Sequence, residues 1–218
     1  MIIFDVDGTL LGGERVDWTS FRDAFKEAAG FPFSPTFFEV IEEVTAQAIV
    51  HQALNNHSIE EKKTIESAVR CGYLKRLSQA HNDDPLTFSS TTGAISLLED
   101  LTQRKIPFAI ATGDWFETIT FKLRAAGIAF TNIPMATSSE RYSRADIIAL
   151  AALKAGISLD GAIYVGDGPW DVRASKKLGI PFIGVGSKVE KLRQAGATYI
   201  LPDLTPEAFW RTVEQIRK

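Results

Sequence analysis

Asp5 and Asp7 leave an apolar run near the start of the chain, at the point where the chain must turn. Residues 2–4 have the uninterrupted apolar character of a strand buried on both faces, and Gly8 permits the turn that follows. Ligands of open parallel sheets bind beyond the carboxyl ends of the strands, where these acids would lie. Two carboxylates this close repel each other unless a cation or a shared proton intervenes, so they are candidates for metal binding and acid–base chemistry. Asp-x-Asp-Gly also occurs in simple turns, and the pair alone does not decide between the two interpretations.

Two later strands are also predicted to end in polar residues. The apolar run 106–111 leads into Thr112 and Gly113, and the run 162–165 leads into Asp167, with Asp171 four residues further on. Because parallel strands end at the same edge of a sheet, we expect these residues to lie near Asp5 and Asp7. The sequence therefore predicts a site built from three strand ends.

The elements that must position these residues indicate an α/β fold with a central parallel sheet. From residue 86 onward, helical patterns alternate with short apolar strands, which is typical of βαβ units. Residues 14–86 instead look helical throughout. We therefore predict a catalytic core of residues 1–13 and 87–218, with 14–86 as an inserted helical domain.

Three helices are predicted in the insert. The first covers residues 20–29, with Ser20 and Asp23 as a capping box, and the second covers residues 34–49. The third begins after Ser58, which with Glu61 forms another capping box.

Composition excludes several classes of function. The chain has 218 residues, 45% of them hydrophobic, and a net charge of -3, which offers no electrostatic footprint for nucleic acid. A single cysteine, Cys71, allows no internal disulfide, and three histidines without cysteine partners make a zinc site improbable. No apolar stretch is long enough to cross a membrane, and a strand at residue 2 leaves no room for a signal peptide. We predict a cytoplasmic protein that is a monomer or a weak homodimer.

Taken in order, these motifs resemble those of the haloacid dehalogenase superfamily of phosphotransferases. Asp5, Asp7, Gly8 and Thr9 match its Asp-x-Asp-Gly-Thr motif, Thr112 its second motif, and Gly166-Asp167 with Asp171 its fourth. The resemblance covers essentially the whole chain. It implies a Rossmann-like three-layer core, and the position of the insert implies an α-helical cap, as in phosphoglycolate phosphatase-like members.

The resemblance also implies a role for each residue. Asp5 would be the nucleophile that forms an aspartyl-phosphate, and Asp7 the general acid and base, with a pKa raised by crowding against Asp5. A Mg²⁺ ion would be held by Asp5, Asp167 and the backbone carbonyl of Asp7, with Asp171 holding a metal-bound water. Thr112 and Gly113 would donate hydrogen bonds to the phosphate.

The third motif departs from the family pattern, which usually has lysine there. Arg144 aligns best, at the start of a helix capped by Ser143 and Asp146, and would bind the phosphate; Arg141 is the alternative. The expected activity is Mg²⁺-dependent hydrolysis of a small phosphorylated metabolite, because a lid favours small esters and dehalogenases lack an acid at position 7. A sugar-phosphate mutase resembling β-phosphoglucomutase and a catalytically weak binding protein with the same fold are the alternatives.

Overall fold

Six parallel strands form one sheet in a computed structural model that describes residues 1–218. The strands are β1 Ile2–Phe4, β2 Phe108–Ala111, β3 Met135–Ala136, β4 Ile163–Gly166, β5 Phe182–Val185 and β6 Tyr199–Leu201. The helices are α1 Glu14–Ala29, α2 Phe37–Val40, α3 Ala46–Ala53, α4 Ile59–Asp83, α5 Ala94–Gln103, α6 Phe116–Ala125, α7 Arg144–Lys154, α8 Pro169–Leu178, α9 Val189–Ala195 and α10 Pro206–Ile216.

The strand order β3-β2-β1-β4-β5-β6 is that of a Rossmann-like sheet, which confirms the predicted fold class. The chain leaves β1 in the centre, builds outward through β2 and β3, and then returns to place β4 on the other side of β1. Such an order leaves a crevice at the carboxyl ends of β1 and β4, where Asp5 and Asp167 follow their strands. The sheet therefore brings distant acids to one point.

Helices cover both faces of the sheet and make three layers. Alternate residues of each strand point to opposite faces, so Ile2 and Phe4 pack with α5, α6 and α10, whereas Ile3 packs with α7, α8 and α9. Burial on both faces explains why the strands are apolar throughout rather than alternating.

Helices α1–α4 form a unit inserted between β1 and α5, with its own buried cluster that includes Phe25 and Tyr73. Its two connections run side by side, since the Gly12 N–H donates to the Ser89 carbonyl at 2.9 Å. Gly13, at φ 96°, precedes α1, and a Cβ there would lie 2.6 Å from the Thr87 carbonyl oxygen, so only glycine fits at this connection.

Two of the three helix predictions for the insert were wrong in their boundaries. The first helix begins at Glu14 rather than residue 20, so Ser20 is buried within α1 and caps nothing. The predicted second helix is divided into α2 and α3, because residues 41–45 leave the helical path to contact the core. The capping box of Ser58 with Glu61 is confirmed at the start of α4. Neither α4 nor any other helix combines the length and apolar character that crossing a membrane requires.

Candidate active site

Three carboxylates converge at the carboxyl edge of the sheet. Asp5 follows β1, Asp167 follows β4 and Asp171 lies in the first turn of α8, and oxygens of the three lie within 4.8 Å of one another. All three residues are buried. Gly8 allows the close approach: its φ is 79°, and an added Cβ would lie 2.2 Å from Asp167 Oδ2. Burial, reinforced by Asp171, raises the pKa of Asp5 well above its ordinary value.

Arg144 is the cation that faces this cluster. Its Nη1 lies 2.9 Å from Asp5 Oδ1 and 3.0 Å from Asp171 Oδ1. The arginine is the first residue of α7, whose N-terminus is capped by Ser143, with the Oγ accepting a hydrogen bond from the Asp146 N–H at 3.2 Å. Arg141, the alternative, is exposed and donates to the Glu140 carbonyl. Of the two candidates, the structure brings only Arg144 to the carboxylates.

Thr112 and Gly113, which follow β2, line the same cavity as Asp5 and Arg144. The cavity has a volume of about 510 Å³, within the range of small-molecule sites. Thr112 is buried, and its Oγ1 accepts the Asp114 N–H at 3.1 Å, which leaves the hydroxyl proton to be donated elsewhere. An added Cβ at Gly113 would lie 2.5 Å from Arg144 Nη2, so glycine permits the arginine to reach the acids.

Asp7 lies beside this cluster and contacts a lysine that sequence reasoning missed. Lys122, on α6, is fully buried, and its Nζ lies 2.7 Å from Asp7, 2.6 Å from Asp17 and 2.9 Å from Asp114. It joins the first strand end, the insert and the loop after β2.

Burial raises the pKa of Asp7 to about 7; Asp17 and Asp114 contribute to the rise, and Lys122 opposes it. The predicted direction of the shift therefore agrees with the structure, but its largest cause is burial rather than crowding against Asp5. The carboxylates that raise this pKa come from the insert and the loop after β2.

A second missed lysine, Lys188, lies next to the metal candidate Asp167. Its Nζ is 2.5 Å from Asp167 Oδ2 and 2.6 Å from Glu14 Oε1. Burial and the neighbouring Asp171 raise the pKa of Asp167 to about 7, against the opposing effect of Lys188. Lys188 precedes α9 in a loop, where no periodic pattern could have predicted its position.

The insert covers the phosphate-binding candidates through its backbone, and we call residues 43–46 the docking segment. The Ala46 N–H donates to the Gly113 carbonyl at 2.7 Å, and Arg144 Nη2 donates to the Val44 carbonyl at 2.9 Å. Thr45 Oγ1 donates to the Tyr142 carbonyl at 2.8 Å, and Glu43 accepts the Arg144 N–H at 3.1 Å. The break between α2 and α3 therefore serves contacts with the site.

Of the tryptophans near the site and the histidine His51, only some line the cavity. Trp18 and Trp170 line the cavity, whereas Trp115 is fully buried in the hydrophobic cluster of the insert. His51 pairs with Glu66 at 2.8 Å and does not line the cavity.

The donor set of the Asp5, Asp167 and Asp171 cluster fits a hard divalent cation. Three buried carboxylates face each other, and burial together with repulsion from Asp171 raises the pKa values of Asp5 and Asp167 against the opposing effects of Arg144 and Lys188. Mg²⁺ prefers oxygen ligands and retains some of its waters, so it needs no more than one or two carboxylates here.

This sheet order, with acids gathered at its switch point, defines a Rossmann-like α/β protein with a candidate active site between core and insert. Residues 2–185 match the profile of the haloacid dehalogenase-like hydrolases. The chain belongs to this family of hydrolases, as the resemblance predicted.

The individual relatives found share less than a quarter of their residues with this chain. A phosphoglycolate phosphatase from Rhodospirillum rubrum is 24% identical over 96% of this chain and 89% of its own. A hydrolase from Pseudomonas syringae has a TM-score of 0.78 at 21% identity and covers 99% of this chain and 98% of its own. A β-phosphoglucomutase from Clostridium difficile has a TM-score of 0.77 at 17% identity, covering 99% and 97%. At these identities the structural likeness establishes the fold alone.

Proposed function

We propose that this protein is a Mg²⁺-dependent phosphatase that hydrolyses a small phosphomonoester through an aspartyl-phosphate on Asp5. The observation that carries the proposal is the grouping of Asp5 with Asp167, Asp171 and Arg144 in one cavity. A phosphoryl dianion would not enter a site of bare carboxylates, so the proposal requires a cation. When bound, Mg²⁺ supplies charge neutralisation for the phosphate and the nucleophile.

The protein's own residues divide the reaction into two steps. In the first, an oxygen of Asp5 attacks phosphorus, the bond from phosphorus to the ester oxygen breaks, and Asp7 donates its proton to the leaving alkoxide. In the second, Asp7 takes a proton from water as the water oxygen attacks phosphorus, which frees phosphate and regenerates Asp5. A pKa of about 7 suits both directions of this proton transfer near neutral pH.

The remaining residues bind and orient the phosphate. Arg144 supplies positive charge and planar donors, and the Thr112 hydroxyl and Gly113 amide supply further donors at the end of β2. Asp5 and Asp167 would hold Mg²⁺ with the backbone carbonyl of Asp7, and Asp171 would sit behind them, where it already contacts Arg144. The substrate would be a small phosphorylated metabolite, and the protein a cytoplasmic monomer or weak homodimer.

Release of phosphate from p-nitrophenyl phosphate, with and without Mg²⁺, tests the proposal. We expect Asp5→Asn to abolish turnover while the melting temperature stays similar or rises, because a buried repulsion is relieved. Asp160→Asn, at an exposed aspartate, is the matched control and should retain full activity. Turnover that survives in Asp5→Asn would contradict the nucleophile assignment, and no release by the folded wild-type protein would favour the binding protein.

A mutase is separated from a phosphatase by an isomerisation assay primed with a sugar bisphosphate. The mutase must protect its aspartyl-phosphate from water and transfer the phosphoryl group back to sugar. Isomerisation that is faster than phosphate release would favour the mutase over the proposed phosphatase.

A further inference from the structure

The cavity has two chemically different walls. The core contributes four of the six carboxylates together with Thr112, Arg144 and Lys188, whereas the insert contributes Glu14 and Asp17 and an otherwise largely apolar surface. The apolar members of the insert wall are Trp18, Phe21, Phe38, Val44, Ala46 and Ile49. A phosphate bound on the core wall would therefore direct the rest of its molecule towards aromatic and aliphatic side chains.

Two aromatic rings of the insert wall are only partly buried. Trp18 packs edge-to-face on Phe38, with ring centroids 4.8 Å apart, and stacks on Phe21 at 6.0 Å. Phe21 is 5% exposed, but Trp18 and Phe38 remain 38% and 41% exposed. Their exposed surface is apolar and lies at a cavity that also contains the candidate chemistry, which is the usual composition of a small-molecule site.

The charges of the cavity disfavour a second anionic group on the substrate. Six carboxylates line it, and its two cations, Arg144 and Lys188, are each paired with acids of the site. No lysine, arginine or histidine of the insert lines the cavity. A carboxylate or second phosphate at the insert wall would therefore be desolvated without a partner and repelled by Asp17 and Glu14.

We infer, building on the proposed phosphatase function, that the substrate is a phosphomonoester of an apolar, ring-containing alcohol with no second anionic group. The phosphate would bind at Asp5 and Arg144, and the ring would pack against the exposed surfaces of Trp18 and Phe38, which already contact each other. Burial of about 60 Å² of apolar surface by the ring already supplies a factor of about ten in kcat/KM.

Four esters with alkyl leaving groups test this inference: benzyl phosphate, ethyl phosphate, phosphoglycolate and glucose 6-phosphate. All four leave as alkoxides, which limits differences in intrinsic reactivity. We expect kcat/KM for benzyl phosphate to exceed that for each of the others by about tenfold or more. Equal values, or a preference for phosphoglycolate or the sugar phosphate, would overturn the inference while leaving the proposed phosphatase intact.

Substitutions in the cavity test whether Trp18 and Phe38 cause the preference for benzyl phosphate. Trp18→Ala and Phe38→Ala should each lower the ratio of benzyl to ethyl phosphate kcat/KM by about fivefold. Phe116→Ala, which truncates an aromatic ring that is 52% exposed outside the cavity, is the matched control and should leave the ratio unchanged. A ratio that stays constant in both cavity variants would place the ring elsewhere and refute this assignment.

Binding of non-hydrolysable phosphonates to the wild-type protein with Mg²⁺ gives a second measurement. It depends neither on turnover nor on whether a variant folds. By calorimetry, 2-phenylethylphosphonate, in which a methylene replaces the ester oxygen of benzyl phosphate, should bind about tenfold more tightly than 3-phosphonopropionate, the corresponding analogue of phosphoglycolate. Equal or reversed affinities would overturn the inference even if no ester is hydrolysed. An absence of hydrolysis with this affinity order would refute the phosphatase and retain the apolar specificity.

Discussion

Replacing Lys122 by methionine should destabilise the fold far more than the loss of an ordinary ion pair. The ammonium has no exposed surface and contacts Asp7, Asp17 and Asp114 at 2.6 to 2.9 Å. Methionine nearly preserves the side-chain volume, so the substitution removes the charge while leaving little cavity. The three carboxylates would then face each other without their cation.

The magnitude follows from the burial of the cluster. Removing one partner of a buried ion pair costs about 3 to 5 kcal/mol in the free energy of unfolding. Asp7 and Asp17 keep 27% and 20% of their side-chain surface exposed and can be hydrated in part, so we expect about 3 kcal/mol at pH 7.5.

The loss should also depend on pH. Without Lys122, the pKa values of Asp7 and Asp114 rise further, so the native variant holds protons that the unfolded chain releases above about pH 4. Its free energy of unfolding therefore falls more steeply than that of the wild type as pH rises from 5.5 to 7.5, by up to about 1.4 kcal/mol per pH unit for each carboxyl that stays protonated.

Urea unfolding of the wild type and variant at pH 5.5 and 7.5 measures both effects. Lys154→Met is the matched control, because Lys154 pairs with Glu140 at 2.7 Å on the surface and its loss should cost less than about 1 kcal/mol. Adding Asp114→Asn to Lys122→Met should restore part of the lost stability. A Lys122→Met variant no less stable than Lys154→Met, or a deficit that does not shrink at pH 5.5, would refute this reasoning.

Three further outcomes are expected. Since without metal the pKa of Asp5 is raised well above its ordinary value and that of Asp167 to about 7, Mg²⁺ must compete with protons, and the rise in melting temperature on adding it should be larger at pH 8 than at pH 5.5; an equal rise would contradict the site. Gly8→Ala should lower stability by more than about 1 kcal/mol in thermal unfolding and weaken this Mg²⁺ effect, because its Cβ would overlap Asp167. Arg144→Met should lower kcat/KM for p-nitrophenyl phosphate by at least about 100-fold and Arg144→Lys by less, since the ammonium keeps the charge; equal losses would mean that guanidinium geometry dominates.

Much of the fold and part of the site could be predicted because parallel sheets impose simple rules. Apolar runs that end in Asp5, Thr112 and Asp167 predicted the strands, and the common direction of parallel strands predicted that these residues would gather. The sequence also favoured Arg144 over Arg141, since only Arg144 starts a capped helix, and the structure brings Arg144 to the cluster.

The parts that could not be predicted depend on contacts between core and insert. The sequence gives a weak indication for Lys122. It lies three residues after Ile119 and four after Thr118, both buried, so helical periodicity places it on the inner face of α6. Lysine on a helix is nevertheless usually exposed. Glu14 and Lys188 left no signal, because their pairing depends on how a loop and a helix start meet in space.

The docking segment, residues 43–46, contributes to holding the crevice between insert and core closed, together with the ion pairs Lys122–Asp17 and Lys188–Glu14. Its bonds to Gly113, Tyr142 and Arg144 cross from one body to the other, so any separation of the two breaks them together. The amide hydrogen of Ala46 is bonded across the crevice to the Gly113 carbonyl, so its exchange with solvent requires that the crevice open. Where closing is faster than chemical exchange, its rate of replacement by deuterium would report the population of the opened state, and a bound ester held between both walls would slow that rate.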